Sequence, residues 1–226
     1  MIDIHTHIMP QIDDGSYNIE ESRMLAFTLK EFGFDKLAVT PHFYPHRETV
    51  ENFLVRRDSA MQTFSKSFPE EEYPIGCECY LHPNLFHSDD ISRLCYSGTN
   101  VLLIELSYDM QDGNEMLALV RRLRDTYNVT PILAHIERYP YITKDEKVMR
   151  EFLDLGCYAQ INLKTLTAFF ERKRLVDYVE KGYVRYLGTD SHHTPFDADA
   201  ASKAMNYLKK RLGDNWQSFF ADELPR

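Results

Sequence analysis

Two histidines near the start of the chain, His5 and His7, have the type and the spacing of metal ligands. The run Ile2–His7 is predicted to form a short β-strand, in which side chains two residues apart share one face. Both imidazoles would then point the same way, close enough to bind one ion. Imidazole binds zinc, iron, nickel and copper, and added carboxylates favour manganese and magnesium. The pair alone is a weak signal, since this spacing also occurs by chance.

Short apolar segments alternate with amphipathic ones along the rest of the chain, and these predict the elements that position the ligands. A helical stripe follows a capping box of Asn18 and Glu21 and ends at Gly33, and further stripes lie within 50–64, 116–123 and 201–212. The predicted strands are Ile2–His7, Lys36–Thr40, Ile75–Tyr80, Val101–Leu106, Pro131–His135, Tyr158–Asn162 and Arg185–Gly188. Seven β-then-α units imply an α/β fold with a parallel sheet, and periodicity alone leaves open a closed barrel or an open, doubly wound sheet.

Residues that can bind metal recur at the carboxyl ends of these predicted strands. Active sites of parallel α/β barrels lie at that face, and open sheets bind ligands beyond the same strand ends. Core packing does not explain ionisable side chains at six of the seven strand ends. The candidate ligands are His5, His7, His42, Glu78, Glu105, His135, Asp190 and His192.

Glu78 strengthens this pattern because it lies within a predicted strand. Cys77 and Cys79 flank it, so the two thiols face one side of the strand and the carboxylate faces the other. The thiols would pack against helices while Glu78 points inward. A carboxylate buried in that way is costly unless it is paired or binds a metal ion.

Each candidate also has a structural interpretation that needs no metal. His42 follows Thr-Pro and fits a turn, Glu105 fits a paired carboxylate, and His135 fits a hydrogen-bonded core histidine. Asp13-Asp14-Gly15 is typical of a turn. Asp190-Ser191-His192 fits a helix N-cap followed by an incidental histidine. Taken together, the set favours a metal site.

Composition restricts the class of protein. The 226 residues fit one domain, and the net charge of −9 makes nucleic acid an unsuitable main partner. No secretory signal and no apolar run of about 20 residues is visible, so we expect no membrane insertion. Cys77, Cys79, Cys95 and Cys157 show no metal-binding or disulfide framework, and we expect reduced thiols in a cytoplasmic protein.

The candidate ligands, in their order and spacing, resemble those of the PHP superfamily, named for polymerase and histidinol phosphatase. The motifs that carry the resemblance are His5-Thr6-His7, Pro41-His42, Glu78, His135 and Asp190-Ser191-His192. Two longer motifs are similar to the bacterial tyrosine-protein phosphatases of capsule and exopolysaccharide gene clusters. These are Asp3-Ile4-His5-Thr6-His7 with Ile12-Asp13-Asp14-Gly15, and Ala134-His135-Ile136-Glu137-Arg138-Tyr139. The resemblance covers residues 2 to about 196.

The resemblance implies a distorted seven-stranded (β/α) TIM-like barrel of the PHP type, with residues 1–226 as a single metallophosphatase domain. It also implies three divalent ions, usually Mn²⁺ in this branch, although related enzymes use Zn²⁺, Fe²⁺ or Mg²⁺. By that resemblance the ligands are His5, His7, Glu78 and Asp190 for the first ion, Glu78, Glu105 and His135 for the second, and Asp14, His42 and His192 for the third. Asp14 thereby changes from a turn residue to a ligand.

The family further implies arginines that bind the phosphate group. Arg138 matches one of them, and the catalytic set would be Arg138 with Asp14 and His192. A second arginine, expected after the Asp-x-His motif, is missing, and His193 or Arg47 would substitute for it. The remaining histidines are expected to be mostly structural or surface groups: His46, His82, His87 and His193. Of these, His46 and His193 lie near the site in sequence and are candidates for substrate contact.

The predicted reaction is hydrolysis of phosphotyrosine by a metal-activated hydroxide that attacks phosphorus in line. Three divalent ions against four carboxylates leave a net charge of about +2, which suits an anionic substrate. A phenolate with a pKa near 10 leaves without much acid assistance. Phe43, Tyr44, Tyr139 and Tyr141 lie beside the predicted site loops, and Tyr44 and Tyr139 are the predicted contacts that flank the substrate ring. The alternative is that these aromatic side chains are core packing, which is the more common role. A cysteine mechanism is set aside, because no arginine follows any cysteine by six residues.

Several alternatives keep the same ligands. A phosphatase of a small phosphomonoester such as histidinol phosphate changes only the pocket. A nuclease is disfavoured by the negative charge. A non-enzymatic scaffold is disfavoured because structural metal sites are coordinatively closed. The resemblance implies the tail of a bacterial tyrosine kinase as the substrate, and the oligomeric state stays open.

Overall fold

The computed structural model describes residues 1–69, 72–108 and 113–225. Within these ranges the chain alternates between short parallel strands and helices. The strands are β1 (Ile2–Asp3), β2 (Lys36–Leu37), β3 (His42–Phe43), β4 (Glu78–Tyr80), β5 (Val101–Glu105), β6 (Thr130–Leu133), β7 (Tyr158–Asn162) and β8 (Tyr186–Gly188). The helices are α1 (Ile19–Glu31), α2 (Val50–Ser67), α3 (Gly113–Tyr127), α4 (Pro140–Thr143), α5 (Glu146–Asp154), α6 (Arg172–Glu180) and α7 (Ala198–Leu212).

The strands form a curled, parallel six-stranded sheet in the order β3-β4-β5-β6-β7-β8, with β1 and β2 paired separately. Two isolated parallel bridges join the chain beyond this pair to the larger sheet. Val39, after β2, bridges to Ile75, before β4, and Thr6, after β1, bridges to Ser191, after β8. The described ladders are therefore not those of the closed seven-stranded barrel that was expected, although the α/β class and the parallel sheet are confirmed.

The second predicted strand shows why the ladder is interrupted. Lys36–Thr40 is regular only at Lys36–Leu37, and pairing resumes in β3 after Pro41. Proline has no backbone N–H to donate to a ladder. The first predicted strand likewise stops at Asp3, whose carboxylate accepts the backbone N–H of His5 at 3.1 Å.

Helix α1 shows how a local signal sets a boundary. The side chain of Asn18 accepts the backbone N–H of Glu21 at 2.9 Å, which is the predicted N-cap bond. The reciprocal bond differs from a capping box, since Glu21 accepts from the backbone of Tyr17 at 2.7 Å. Gly33, at φ 91°, follows the end of the helix.

Among the helices of the described residues, none combines the length and the hydropathy that a membrane span requires.

The apolar side chains form two clusters, one on each face of the sheet. The outer cluster packs the sheet against the helices and includes Leu102, Ile104, Cys77 and Cys79, as predicted for the two thiols. The inner apolar cluster comprises Ile2, Ile4, Ala38, Tyr96, Val101, Leu103, Ile132, Ala134 and Tyr186. Residues of β5 alternate between the two, because side chains along a strand point to opposite faces.

Candidate metal centre

The predicted ligand residues converge at the carboxyl end of the sheet, beyond the inner apolar cluster. Three overlapping groups each have ligand atoms within 4.8 Å of one another: His5, His7, Glu78 and Asp190; His7, Asp14, His42 and His192; and His42, Glu78 and Glu105. His135 joins them through Glu78 Oε1, which lies 2.7 Å from its Nε2. We call these nine residues the donor cluster. Asp14 is its exposed member, with Oδ1 at 3.5 Å from His42 Nε2 and 3.6 Å from His192 Nε2.

Strand register explains how two members of the donor cluster meet. His42 of β3 is the Cα partner of Glu78 in β4, and parallel partners point to the same face. The same register row continues into Leu103 and Ile132 of the inner apolar cluster. Glu105 lies two residues beyond Leu103 in β5, so its side chain points to the same inner face. Its Cα partner in β4 is Tyr80.

Two further members depend on unusual backbone conformations. His135 (φ 31°) and Asp190 (φ 53°) both lie in the left-handed region, which residues other than glycine rarely occupy. His135 follows β6 directly after Leu133 and Ala134, so the extended strand ends there and its imidazole reaches Glu78. Such strain persists only where surrounding contacts hold it, and it concentrates at functional sites.

Distances between donor atoms fit a shared divalent ion. His5 Nε2 and His7 Nε2 are 3.1 Å apart, and they lie 3.5 Å and 3.4 Å from Asp190 Oδ1. Two ligand atoms that each lie about 2.1 Å from one ion are about 3.0–3.4 Å apart in octahedral or tetrahedral geometry. The imidazole and carboxylate donors suit Mn²⁺, Zn²⁺ and Fe²⁺.

Two buried atoms of the donor cluster lack hydrogen bonds within the described residues. These are Nδ1 of His42 and Oε2 of Glu78, which lie 2.9 Å apart without hydrogen-bond geometry. An unsatisfied buried polar atom costs about 1–3 kcal/mol. Metal ions bound at this cluster are the kind of partner that such atoms lack, so the residues present fit a metal.

The other ring nitrogen of most cluster histidines has its own partner. Nδ1 of His7 lies 2.7 Å from Asp13 Oδ2, and Nδ1 of His5 lies 3.3 Å from Gln160 Oε1. The remaining pairs are His135 Nδ1 with the Tyr139 hydroxyl at 3.2 Å and His192 Nδ1 with the Asp190 carbonyl at 2.9 Å. Such partners fix the ring orientation and leave Nε2 to bind the metal.

Electrostatic coupling holds charge in the donor cluster. Burial alone raises the pKa of Asp190 and Glu78, but the nearby histidines lower the pKa of both carboxyl groups well below the usual range. Burial lowers the pKa of His5, yet Glu78 and Asp190 raise it to about 9. Without metal, His5 therefore keeps a proton at neutral pH, and metal binding would release it.

Arg138 lies at the rim of the donor cluster. Its Nη2 donates to Asp190 Oδ2 at 2.6 Å, and its Nη1 donates to the Tyr108 hydroxyl at 3.2 Å. Tyr108 in turn donates to Glu105. The Arg138 side chain is 43% exposed, so its guanidinium is fixed by two contacts and still reaches solvent. A fixed cation beside the donors is suited to an anionic substrate.

Comparison with known proteins identifies the family. A family model described as capsular polysaccharide synthesis, CpsB/CapC, matches residues 1–223. The chain belongs to the CpsB/CapC family.

Named relatives span nearly the same length as this CpsB/CapC chain. It is 27% identical to the tyrosine-protein phosphatase CpsB of Streptococcus pneumoniae, covering 94% of this chain and 91% of the relative. It is 25% identical to the tyrosine-protein phosphatase YwqE of Bacillus subtilis, covering 94% and 85%. A solved structure from a study of YwqE and CpsB, described as metal-dependent tyrosine phosphatases, matches with a TM-score of 0.75 and 22% identity over 96% of this chain and 90% of that one. That structural match shows a shared fold.

Three predicted substrate contacts lie in two different places: Tyr44 and Arg47 lie beside His42, and His193 lies elsewhere. Tyr44 is half-buried with its ring stacked 5.2 Å from that of His42, and the Arg47 guanidinium lies over the Tyr44 ring at 4.4 Å. His193 is turned toward the segment that precedes α1, where its ring stacks on that of Tyr17 at 4.2 Å between centroids.

Tyr139 does not have the position expected for a substrate contact. It is fully buried, and its hydroxyl accepts the backbone N–H of Leu106 at 2.9 Å while facing His135 Nδ1. The ring therefore supports His135 from behind, because these internal contacts leave it no face for a substrate. Proximity to the motif in sequence did not reveal its burial.

Other residues of the centre were missed by sequence reasoning. Asp13 supports His7 and also accepts the backbone N–H of His42 at 2.9 Å, yet it was assigned only to a turn. Asn162 donates to Asp190 Oδ2 at 2.8 Å, and Gln160 donates to Asn162 at 2.7 Å. A signal was present, since polar residues two apart in an otherwise apolar strand share its inner face. Tyr108, three residues after Glu105, had no comparable signal.

Proposed function

We propose that this chain is a metal-dependent protein-tyrosine phosphatase that hydrolyses phosphotyrosine. The observation that carries the proposal is the donor cluster, in which overlapping groups of histidines and carboxylates adjoin the fixed cation of Arg138. The names of the CpsB and YwqE relatives support the same reaction. A small phosphomonoester such as histidinol phosphate has no observation in its favour here.

The donor cluster would hold three divalent ions, with Mn²⁺ as the proposed metal. The first ion would be bound by His5, His7, Glu78 and Asp190, the second by Glu78, Glu105 and His135, and the third by Asp14, His42 and His192. Glu78 is central to this arrangement, because its two oxygens face His135 on one side and His5, His7 and His42 on the other. Mixed imidazole and carboxylate donors are compatible with manganese.

The ions would supply positive charge to the phosphate and lower the pKa of a bound water. Arg138 would hold nonbridging phosphate oxygens with the N–H groups that Asp190 and Tyr108 leave available. Because those two contacts fix its orientation, little side-chain entropy is lost when the phosphate binds. Phosphoryl transfer requires mainly such positioning and charge neutralisation.

The phenyl ring of the substrate would lie between Tyr44 and Tyr108. Tyr44 stacks against His42, and Tyr108 contacts Glu105 and Arg138, so the two tyrosines border the donor cluster at different members. Aromatic pairs add about 0.5–1.5 kcal/mol beyond the area they bury. Arg47, exposed and stacked on Tyr44, would supply the second cation that the sequence lacks after Asp190-Ser191-His192.

The leaving group of the proposed reaction is the phenolate of tyrosine. Because its pKa is near 10, no strong general acid is required.

The four cysteines are buried and free, and burial raises the pKa of Cys77 and Cys157. A thiolate nucleophile is therefore not part of the proposed mechanism.

The proposal extends to the whole chain as one domain, residues 1–226. It also treats the α/β fold as PHP-like, with β2 and β3 counted as one interrupted strand. Two backbone hydrogen bonds join the chain near the separate β1–β2 pair to the six-stranded part, from His7 N to Ser191 O at 2.9 Å and from Val39 N to Pro74 O at 2.9 Å. The proposed partner is a phosphotyrosine protein, the tail of a bacterial tyrosine kinase that acts in capsule synthesis, in line with the family's description.

The first experiment measures phosphate release from a phosphotyrosine peptide by metal-stripped protein, with and without added Mn²⁺. Manganese-dependent release is the expected result, and parallel titrations with Mg²⁺, Zn²⁺ and Fe²⁺ identify the preferred ion. Histidinol phosphate is assayed alongside. Turnover of histidinol phosphate at a higher kcat/KM than the peptide would contradict the proposal, as would release that survives metal removal.

A matched pair of arginine variants tests the role of Arg138. Arg138→Ala removes the cation at the rim, and we expect kcat/KM for the peptide to fall by about a hundredfold or more. Arg150→Ala is the control, because Arg150 binds Glu146 and Tyr183 on the exposed side of α5. Equal losses in the two variants would mean that Arg138 has no special role.

A further inference from the structure

Two amide side chains, Gln160 and Asn162, lie on the inner face of β7 and adjoin the donor cluster. Gln160 is the Cα partner of Tyr186 in β8, which belongs to the inner apolar cluster, and Asn162 follows two residues later on the same face. Gln160 is fully buried, and Asn162 is 6% exposed. Amide groups in such positions are costly unless their hydrogen bonds are made, and both side chains have partners.

The backbone N–H of His135 determines the direction of these bonds. It donates to Gln160 Oε1 at 2.8 Å, and because a backbone N–H can only donate, the atom that faces it must be the amide oxygen. The amide nitrogen of Gln160 then donates to Asn162 Oδ1 at 2.7 Å, and the amide nitrogen of Asn162 donates to Asp190 Oδ2 at 2.8 Å. The bonds from His135 through Gln160 and Asn162 to Asp190 therefore run in one direction, and we call them the amide chain.

The same oxygen of Gln160 selects the tautomer of His5. His5 Nδ1 lies 3.3 Å from Gln160 Oε1, and since that oxygen only accepts, Nδ1 carries the ring proton in this contact. In the neutral ring Nε2 is then unprotonated, and it faces Glu78 Oε2 at 3.2 Å and Asp190 Oδ1 at 3.5 Å. A histidine that binds metal through Nε2 requires this tautomer.

The neighbouring strand leaves room for the amide group of Gln160. A Cβ atom at Gly188 in β8 would lie 2.7 Å from Gln160 Nε2 and 2.8 Å from His5 Cβ. Glycine weakens a strand, and it often marks a position that another group approaches closely. Any larger residue at position 188 would therefore displace Gln160 or His5.

Among the described residues, the amide chain reaches ligands of two of the three proposed ions. His5 and Asp190 are assigned to the first ion and His135 to the second. We propose that Gln160 and Asn162 are positioning residues that orient the ligands of the first and second ions together. This inference rests on the metal assignments of the proposed function and extends them to two side chains that are not assigned as ligands.

The first test measures metal binding by Gln160→Leu, which removes the amide and keeps a side chain of similar size. Metal-stripped protein is equilibrated with buffered concentrations of free Mn²⁺, and the bound ions are counted by elemental analysis. The first and second ions should require about ten- to a hundredfold more free Mn²⁺ than in the wild type, whereas the third should bind unchanged. Gln217→Leu makes the same change at an exposed residue and should bind all ions as the wild type does.

Nuclear magnetic resonance with isotope-labelled histidine reads the tautomer of His5 directly, in protein loaded with diamagnetic Zn²⁺. In the wild type the ring proton of His5 should lie on Nδ1 and exchange slowly with water, because Gln160 Oε1 accepts it in a buried position. Gln160→Leu should lose this protected proton. Gln160→Glu keeps an oxygen that accepts from His5 and His135, so it should restore the proton.

Asn162→Ala tests the far end of the amide chain, where Asn162 contacts Asp190 but not His135, so the first ion alone should bind more weakly. Thermal melting shows which variants are folded, and if Gln160→Leu is not, Asn162→Ala and the wild-type tautomer decide. Unchanged metal binding by the folded variants, or a wild-type His5 proton on Nε2, would overturn this inference alone. A wild-type protein that binds no divalent ion would refute the proposed function with it.

Discussion

The inner face of the sheet differs between its two ends, and β5 shows the contrast within one strand. Val101 and Leu103 belong to the inner apolar cluster, whereas Glu105, on the same face two residues later, belongs to the donor cluster. The amino-terminal end of the sheet is packed like an ordinary core. The carboxyl-terminal end of the same strands buries histidines and carboxylates against one another.

The two ends also differ in what they contribute to stability. Buried apolar side chains stabilise the fold by about 1.5–3 kcal/mol each and need no specific partner. Buried ionised groups are costly unless charge and hydrogen bonds are fully matched, and Glu78 Oε2 and His42 Nδ1 are not. The strained conformations of His135 and Asp190 belong to the same end. The amino-terminal end thus supports an arrangement that would be unfavourable without metal.

The largest effect is expected from removing the shared carboxylate of the donor cluster. Glu78→Gln keeps the size of the side chain but removes the charge that faces His5, His7, His42 and His135. Phosphatase activity should fall by about a thousandfold or more, with loss of bound Mn²⁺ measured by elemental analysis. Glu115→Gln, on the exposed side of α3, is the control and should change neither value. Full metal content in the Glu78→Gln protein would show that Glu78 is not the shared metal ligand.

A change in the inner apolar cluster should affect stability and spare the metal. Leu103→Ala leaves a cavity beneath the donor cluster, and the free energy of unfolding should fall by about 2–5 kcal/mol. Denaturant unfolding measures the loss, and Mn²⁺ content below the transition should equal that of the wild type. Simultaneous loss of metal would show that the two ends of the sheet are not separable.

Asp13 tests how far the donor cluster depends on the residues that orient it. Asp13 Oδ2 faces both His7 Nδ1 and the backbone N–H of His42, and Oδ1 accepts the backbone N–H of Gly15. In Asp13→Asn, an NH2 group, which can only donate, replaces one of these two oxygens. Either the contacts with His7 and His42 or the bond to Gly15 is therefore lost. Mn²⁺ affinity should fall by about ten- to a hundredfold. Competition with a chelator measures it, and unchanged affinity would mean that the His7 ring is held by packing alone.

The smallest effect is expected from a charge network far from either cluster. Hydrogen bonds from Lys181, Arg150 and Tyr183 lower the pKa of the exposed Glu146 from 4.5 to about 2. A depressed carboxyl pKa stabilises the folded state above the unfolded value of 4.5, and this contribution is lost as the pH falls toward 2. Glu146→Gln should lower the melting temperature slightly at pH 7 and not at pH 2. A difference that grows in acid would reverse the assigned sign, and metal content should not change.

The sequence predicted the parts of this molecule that follow from simple periodicity. Tyr158–Asn162 forms a strand with the predicted bounds, and the ligands at strand ends meet because parallel strands share one carboxyl edge. Asp14 was identified as a candidate only through the family resemblance.

Features that depend on single backbone groups were not predicted. The predicted strand Lys36–Thr40 is regular only at Lys36–Leu37, and a further strand, β3, follows Pro41; the left-handed conformation of His135 ends β6 two residues early. Tyr139 is fully buried, and its hydroxyl accepts a long-range hydrogen bond from the Leu106 backbone N–H, which no local pattern encodes. Propensity and alternation describe neighbours in sequence, whereas these features arise from contacts made after folding.

The pairing between the first and last strand regions sets an order of events during synthesis. Thr6 bridges to Ser191, and Asp3 binds Thr189 across 186 residues of chain. His5 and His7 leave the ribosome before Asp190 and His192, which follow only after the strands between them have emerged. A nascent chain therefore cannot assemble the full donor cluster, and long-range closure of this kind is slow compared with local folding. Metal uptake would then mark the completion of folding rather than its beginning.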